Sequence, residues 1–257
     1  MPATVAAKSP RRCGGYVATI TGNANKNNIE GTAGDDVIYA GASRDQVWGG
    51  GGNDIICGAK GSDYLQGDRL PDQTPGHDTI YGGDGNDSMD GGDESDEFYP
   101  GKGDDWFTGG GSTQDYLLYS KVGKPVQVRM DLGIATAQGT DVFEEIEIVR
   151  GTKYADYLTG SAGCAGVSGS QGADLIFAGG CTYAYGDDGN DEIHGTDGSD
   201  ILYGDAGEDW LYGKAGDDDL EAEDSELDHV FAGDGTDTCF TDDIDETQDC
   251  ELGRYRN

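Results

Sequence analysis

Along most of the chain one apolar residue recurs about every nine positions, always two residues after an Asp. In the first half these residues are Ile38, Val47, Ile56, Leu65, Ile80, Met89, Phe98, Phe107 and Leu117. A nine-residue period fits no helix, whereas a single inward side chain flanked by outward ones fits a very short strand. Gly at a fixed place in every unit predicts a turn at a fixed place in every unit. The chain therefore reads as short strands joined by Gly-Asp turns, with the apolar column as its core and as an independent marker of register.

The pattern is cleanest from Gly186 to Glu221, where GDDGNDEIH, GTDGSDILY, GDAGEDWLY and GKAGDDDLE follow without a gap. Gly stands first and fourth, Asp sixth (Asp191, Asp200, Asp209, Asp218) and an aliphatic residue eighth. These units resemble the G-G-x-G-x-D-x-U-x repeat of the RTX, or hemolysin-type calcium-binding, family. The resemblance implies an all-β fold, a right-handed parallel β-roll or β-helix solenoid in which two nonapeptides make one turn. It also implies several Ca²⁺ ions held between the loops of neighbouring turns.

The residues support the same ligand without the family. Parallel strands stack about 4.8 Å apart, so Asp191 and Asp209, one turn apart, bring two carboxylates together, as do Asp200 and Asp218. Such pairs repel unless a cation separates them. Carboxylates and Gly-turn carbonyls form an all-oxygen donor set, which suits calcium rather than zinc.

Reading the frame in both directions gives the other candidate ligands. The first block holds Asp36, Asp45, Asp54, Asp63, Asp78, Asp87, Asp96, Asp105 and, one residue out of frame, Asp115. Ser43 and Glu94 replace the fourth-position Gly before Asp45 and Asp96, and an insertion around Arg69 to Pro75 lengthens one loop. The second block adds Asp156, Asp174, a late Asp228 and Asp237. Two of its units lack the Asp: GSAGCAGVS has Ala165 in its place, and AGGCTYAY has eight residues.

Those defective units lie on one edge of the roll, one turn apart, and each carries a cysteine at a nearly equivalent position. Cys164 and Cys181 therefore fall within disulfide reach, and a covalent bridge is expected where the metal bridge is missing. Proximity pairs the inward Cys239 with Cys250 in the acidic tail, and Cys13 with Cys57.

The frame divides the chain into an N-terminal cap (1–30), a first repeat block (31–118), a non-repeat β insert (119–150), a second block (151–240) and a C-terminal cap (241–257), with about nine to ten turns in all. A solenoid needs its end turns covered. Within the insert Val126, Val128, Met130 and Leu132 alternate with polar residues and predict strands. The insert also resembles segments found between repeat blocks of RTX-like proteins, through V-x-V-x-x-D-L and I-E-x-V-x-G-T. It either continues the roll or forms a binding element. Lys8, Arg11 and Arg12 read as a solvated basic tail.

Composition sharpens the metal argument. Among 257 residues there are 46 Gly and 51 acidic against 16 basic residues, for a net charge of -35, with 35% hydrophobic residues. Such a chain would be disordered without its repeats. Stacked Asp pairs set an upper bound of 13 ions, whose 26 positive charges offset most of that excess. Calcium is thus expected to be a condition of folding.

The acidic surface excludes nucleic acid as a partner, and no apolar run spans a bilayer. Six cysteines, an even number, and sites that fill at extracellular calcium place the protein outside the cell, secreted or on its surface. No H-E-x-x-H, G-x-S-x-G or phosphate-binding loop is present, and His77, His194 and His229 are dispersed, so a non-catalytic protein is expected. Outward aromatic residues, among them Tyr81, Tyr99, Trp48, Trp106, Trp210 and Tyr212, form either stabilising ladders or a surface for a cell-surface, particle-surface or glycan partner.

Overall fold

The computed structural model describes residues 9–68, 74–111 and 114–255. Part of the long loop insertion, residues 69–73, and Lys8 of the basic tail lie outside these. Among the described residues two long sheets face each other along the molecule, one of 14 strands and one of 13. Each nonapeptide lays its strand on one sheet and the next lays its strand on the other, so the chain winds as a parallel solenoid. The register is that of the repeat: Ile56 lies beside Ile38, Leu65 beside Val47 and Leu211 beside Ile193.

The core is the apolar column. Ile38, Val47, Ile56, Leu65, Ile80, Met89, Phe98, Phe107 and Leu117 are all buried, and the column continues through Leu158, Val167, Ile176, Ala184, Ile193, Leu202, Leu211, Leu220, Val230 and Cys239. With so few apolar side chains per coil, each must be fully enclosed, and each sheet contributes one file of them to the interior.

The solenoid has about 13 turns rather than nine to ten. Stretches outside the repeat also lay strands on the two sheets: Ile20–Thr21 and Asn28–Glu30 near the beginning, Glu246–Gln248 and Leu252–Tyr255 near the end. Hydrogen bonding along a sheet edge needs only a backbone in register, so a strand can be added without the Gly-Asp turn.

The same principle joins the two repeat blocks into one continuous roll. In one sheet Tyr116–Leu118 pairs with Ile148–Arg150, which pairs with Gly166–Gln171. In the other, three strands stand between the blocks: Thr140–Glu144 pairs in parallel with Trp106–Gly110, Ile134–Thr136 runs antiparallel to it, and Gln127–Arg129 pairs in parallel with Tyr157–Thr159. The alternation at Val126–Leu132 is only half a strand. Met130–Leu132 is a 3-10 turn closed by left-handed Gly133, and Leu132 is exposed. The chain must reverse here to enter the antiparallel hairpin, and a reversal takes a turn whatever the hydrophobic pattern.

Candidate metal-binding ladders

Each loop ends on its Asp, so stacking the coils stacks the carboxylates into two columns, one along each sheet edge. The columns are hydrogen-bonded in one direction throughout. The backbone N–H of Asp36 donates to Oδ1 of Asp54 (2.8 Å), that of Asp54 to Asp78 (2.8 Å), Asp78 to Asp96 (2.8 Å) and Asp96 to Asp115 (2.8 Å). On the other edge Asp45 donates to Asp63, Asp63 to Asp87 and Asp87 to Asp105. In the second block the runs are Asp156, Asp174, Asp191, Asp209 and Asp228 on one edge and Asp200, Asp218 and Asp237 on the other. All 17 candidate carboxylates thus lie in the two columns, including Asp78, Asp115 and Asp228, whose loops are longer than the repeat.

The second carboxylate oxygen is the unusual one. For Asp45, Asp54, Asp63, Asp78, Asp87, Asp96, Asp105, Asp174, Asp191, Asp209, Asp218, Asp228 and Asp237 the Oδ2 atom is buried and accepts no hydrogen bond. A buried charge without a partner is costly, and an orphaned acceptor has to be explained by a ligand or a proton. Burial accordingly raises several of them above the ordinary range, opposed by the backbone N–H each accepts: Asp54 and Asp191 to about 7, Asp78 and Asp209 to about 8, Asp96 to about 9.

Backbone oxygens surround the same place. A Cβ on Gly58 would lie 2.6 Å from Oδ2 of Asp63 and 2.7 Å from the carbonyl oxygen of Gly82 in the next coil; on Gly195 it would lie 2.7 Å from both Oδ2 of Asp200 and the Gly213 carbonyl. Gly therefore opens the first loop position so that a carboxylate and a neighbouring carbonyl can approach. Among the described residues no three His, Cys, Asp or Glu side chains converge on one point. A cation here would take two stacked carboxylates at most and draw its other donors from carbonyls, a hard, all-oxygen set of the kind calcium accepts.

The structure adds acidic residues to the columns that a strict nine-residue frame passes over. Asp105 donates to Asp141 (3.2 Å), Asp115 to Glu147 (3.0 Å), Asp228 to Asp245 (3.0 Å) and Asp237 to Glu251 (3.0 Å). A signal for two of them was present: Asp141 precedes the core residue Phe143, and Glu147 precedes Val149, by the same two positions as every repeat Asp. Asp141 differs in being answered by the protein. Its Oδ2 accepts the hydroxyl of fully buried Tyr119 at 3.0 Å.

At the gap in one column Ala165 and Thr182 take the Asp positions, and Cys164 and Cys181 are joined by a disulfide with Cα atoms 4.5 Å apart. Cys13 is bonded to Cys57 and Cys239 to Cys250.

Fold and site together define a repeat solenoid whose coils are stitched along both edges by acidic, carbonyl-lined turns. Comparison with known families makes this specific: the RTX calcium-binding nonapeptide repeat matches four times, over residues 21–56, 30–65, 73–107 and 185–220. The chain therefore carries the RTX calcium-binding repeat in both of its blocks. No curated protein matches it.

Proposed function

We propose that the protein is an extracellular structural element, a rod whose coils are held together by several Ca²⁺ ions between stacked loops, with Asp36, Asp45, Asp54, Asp63, Asp78, Asp87, Asp96, Asp105, Asp115, Asp156, Asp174, Asp191, Asp200, Asp209, Asp218, Asp228 and Asp237 as the columns from which its ligands come. The observation that carries this is the row of buried Oδ2 atoms without a donor. Bound calcium would supply the positive charge those oxygens lack and offset a net charge of -35. Three disulfides, and the weak binding usual for extracellular calcium modules, support a location outside the cell. No helix among the described residues is long and apolar enough to cross a membrane. Calorimetric titration of the chelated, disulfide-intact protein with Ca²⁺ tests the reading: multi-site uptake with ordering supports it, and no uptake at millimolar Ca²⁺ ends it.

A second reading, a calcium-dependent adhesin or glycan-binding module, draws on the outer aromatics. Phe177, His194, Tyr212 and Phe231 stack in one column with centroids 4.8, 4.6 and 5.1 Å apart and planes within 10° of parallel. Rings stacked on one another cover their faces and turn their edges outward. Sugars are gripped on ring faces, so this column favours ladder stabilisation. Trp106 and Trp210 are more exposed than the rings of that column, at 44% and 39%. Glycan-array binding lost in Trp106→Ala or Trp210→Ala would favour the second reading.

A further inference from the structure

The loops are of two kinds, and the difference lies in their second residue. In most loops it is left-handed, including at non-glycine residues: Ala59 (φ 76°), Ser170 (82°), Asp187 (69°), Asp205 (65°) and Lys214 (83°). These precede Asp63, Asp174, Asp191, Asp209 and Asp218, all with orphaned Oδ2 atoms. Left-handed backbone is unfavourable for a non-glycine residue, so something in the working molecule has to hold it there.

Three loops begin Gly-Thr instead: Gly31–Asp36, Gly151–Asp156 and Gly195–Asp200. Their Thr residues are not left-handed. The Thr N–H points inward and donates to Oδ2 of the loop's own Asp: Thr32 to Asp36 at 2.7 Å, Thr152 to Asp156 at 2.5 Å, Thr196 to Asp200 at 2.6 Å. The Thr hydroxyl reaches the carboxylate as well in two of them, at 3.0 Å to Oδ1 of Asp156 and 3.1 Å to Oδ2 of Asp200. In all three it also accepts the N–H of the fourth residue, Gly34, Tyr154 or Gly198.

A separate observation concerns that fourth position. In the left-handed loops it lies hard against the preceding coil; a Cβ on Gly61 would meet Ser43 backbone at 2.6 Å or closer. In the Gly-Thr loops a Cβ on Gly34 meets nothing within 4 Å and one on Gly198 only Thr196 Oγ1 at 3.6 Å, and the third loop carries Tyr154 there. The loop has swung off its neighbour.

Position along the columns completes the pattern. Each Gly-Thr loop is the first acidic loop of its run. The residues one coil earlier are Ala18, Val126 and Thr182, none of them acidic. Thr19 and Val126 instead give donors to Oδ1 of Asp36 and Asp156, at 3.2 and 2.7 Å.

We propose that Asp36, Asp156 and Asp200 hold no calcium. The protein's own donors satisfy their carboxylates, and Gly-Thr-x-x-x-Asp marks a metal-independent turn that opens three of the four runs of calcium-dependent ones. This rests on the calcium reading above, and it names which column members that reading must give up.

The experiment is Ca²⁺ stoichiometry of the full, disulfide-intact chain, measured by titration after chelation. Asp36→Ala, Asp156→Ala and Asp200→Ala should bind as many ions as the parent, while Asp54→Ala, Asp87→Ala and Asp209→Ala should each lose at least one. Equal losses in the two sets would overturn the proposal. Should a Gly-Thr variant fail to fold, an anomalous difference map of the calcium-saturated parent decides without mutation. An ion within about 2.3–2.6 Å of a carboxylate oxygen of Asp36, Asp156 or Asp200 overturns it, and ions confined to the left-handed loops support it. A parent chain that takes up no calcium defeats the calcium reading itself, a result distinct from either.

Discussion

The edge that carries Asp174, Asp191, Asp209 and Asp228 and the facing edge between Gly160 and Thr182 belong to overlapping coils, yet they are held by different means. On the first, successive loops bury carboxylates whose Oδ2 atoms have no donor. On the second the Asp is replaced by Ala165 and Thr182, and the Cys164–Cys181 bridge spans the two coils. Strand pairing is the same on both edges, so the backbone does not require acid at the turn. The acid is an added device, and its cost is a buried charge that only a cation or a proton relieves.

The largest effect expected from this contrast is on removing calcium. At pH 8 the carboxyls raised only to about 7, such as Asp54, Asp87 and Asp191, are ionised without a partner, and chelation should abolish the greater part of the β signal in circular dichroism. The coils around Cys164–Cys181 and the Tyr119–Asp141 pair should keep the most protection in hydrogen exchange. A spectrum unchanged by chelation would show that the columns need no cation.

Acid should partly replace the metal. The carboxyls of Asp54, Asp87, Asp105 and Asp209 are raised by burial to about 7, 7, 8 and 8 in the folded, metal-free chain, against about 3.9 when unfolded. A raised carboxyl contributes stability that is complete below about pH 4 and is lost as pH rises through about 7 to 8. The calcium-free protein should therefore gain β structure as pH is lowered from 8 to 5. With saturating calcium the dependence reverses, since protons then compete with the ion. A calcium-free chain that loses structure on acidification would contradict the raised carboxyls.

The covalent edge gives a smaller and more local effect. Replacing Cys164 and Cys181 by Ala opens a 17-residue loop, which chain entropy values at about 3 kcal/mol. Measured by denaturant unfolding in saturating calcium, the double variant should lose about that much and keep its ion count. Loss of an ion would mean that the bridge also shapes a neighbouring metal loop.

Much of this arrangement was legible in the residues because a solenoid repeats one physical decision. Asp at the turn and an aliphatic residue two positions later fix register, core and column together, so Leu211 and Asp209 imply each other. The extra turns were harder to see. Glu251 and Asp245 complete the columns with no Gly before them and no apolar residue two positions after them, and only the pairing of Leu252–Tyr255 and Glu246–Gln248 with the last repeats reveals them. The hairpin inside the roll was obscured for a different reason: Met130 and Leu132 keep a strand's alternation while the backbone turns. The two loop types were visible as letters, Thr against other residues in second place, but their meaning depends on where an N–H points.

The outer aromatic column supplies the finest test, because it lies on the same coils as the orphaned carboxylates but on the strands rather than in the loops. Tyr212 is sandwiched between His194 and Phe231 at 4.6 and 5.1 Å, whereas Tyr157 at the column's end has one neighbour there, Phe177, tilted at 46° and 5.6 Å away. Each stacked pair is worth about 0.5–1.5 kcal/mol, so Tyr212→Ala should cost about twice what Tyr157→Ala costs, roughly 1–3 kcal/mol in unfolding at saturating calcium. Both variants should bind the full number of ions. If Tyr212→Ala instead weakens calcium uptake, the outer face and the turns are coupled through the short strand between them, and the division of labour between aromatic ladder and metal column would not hold.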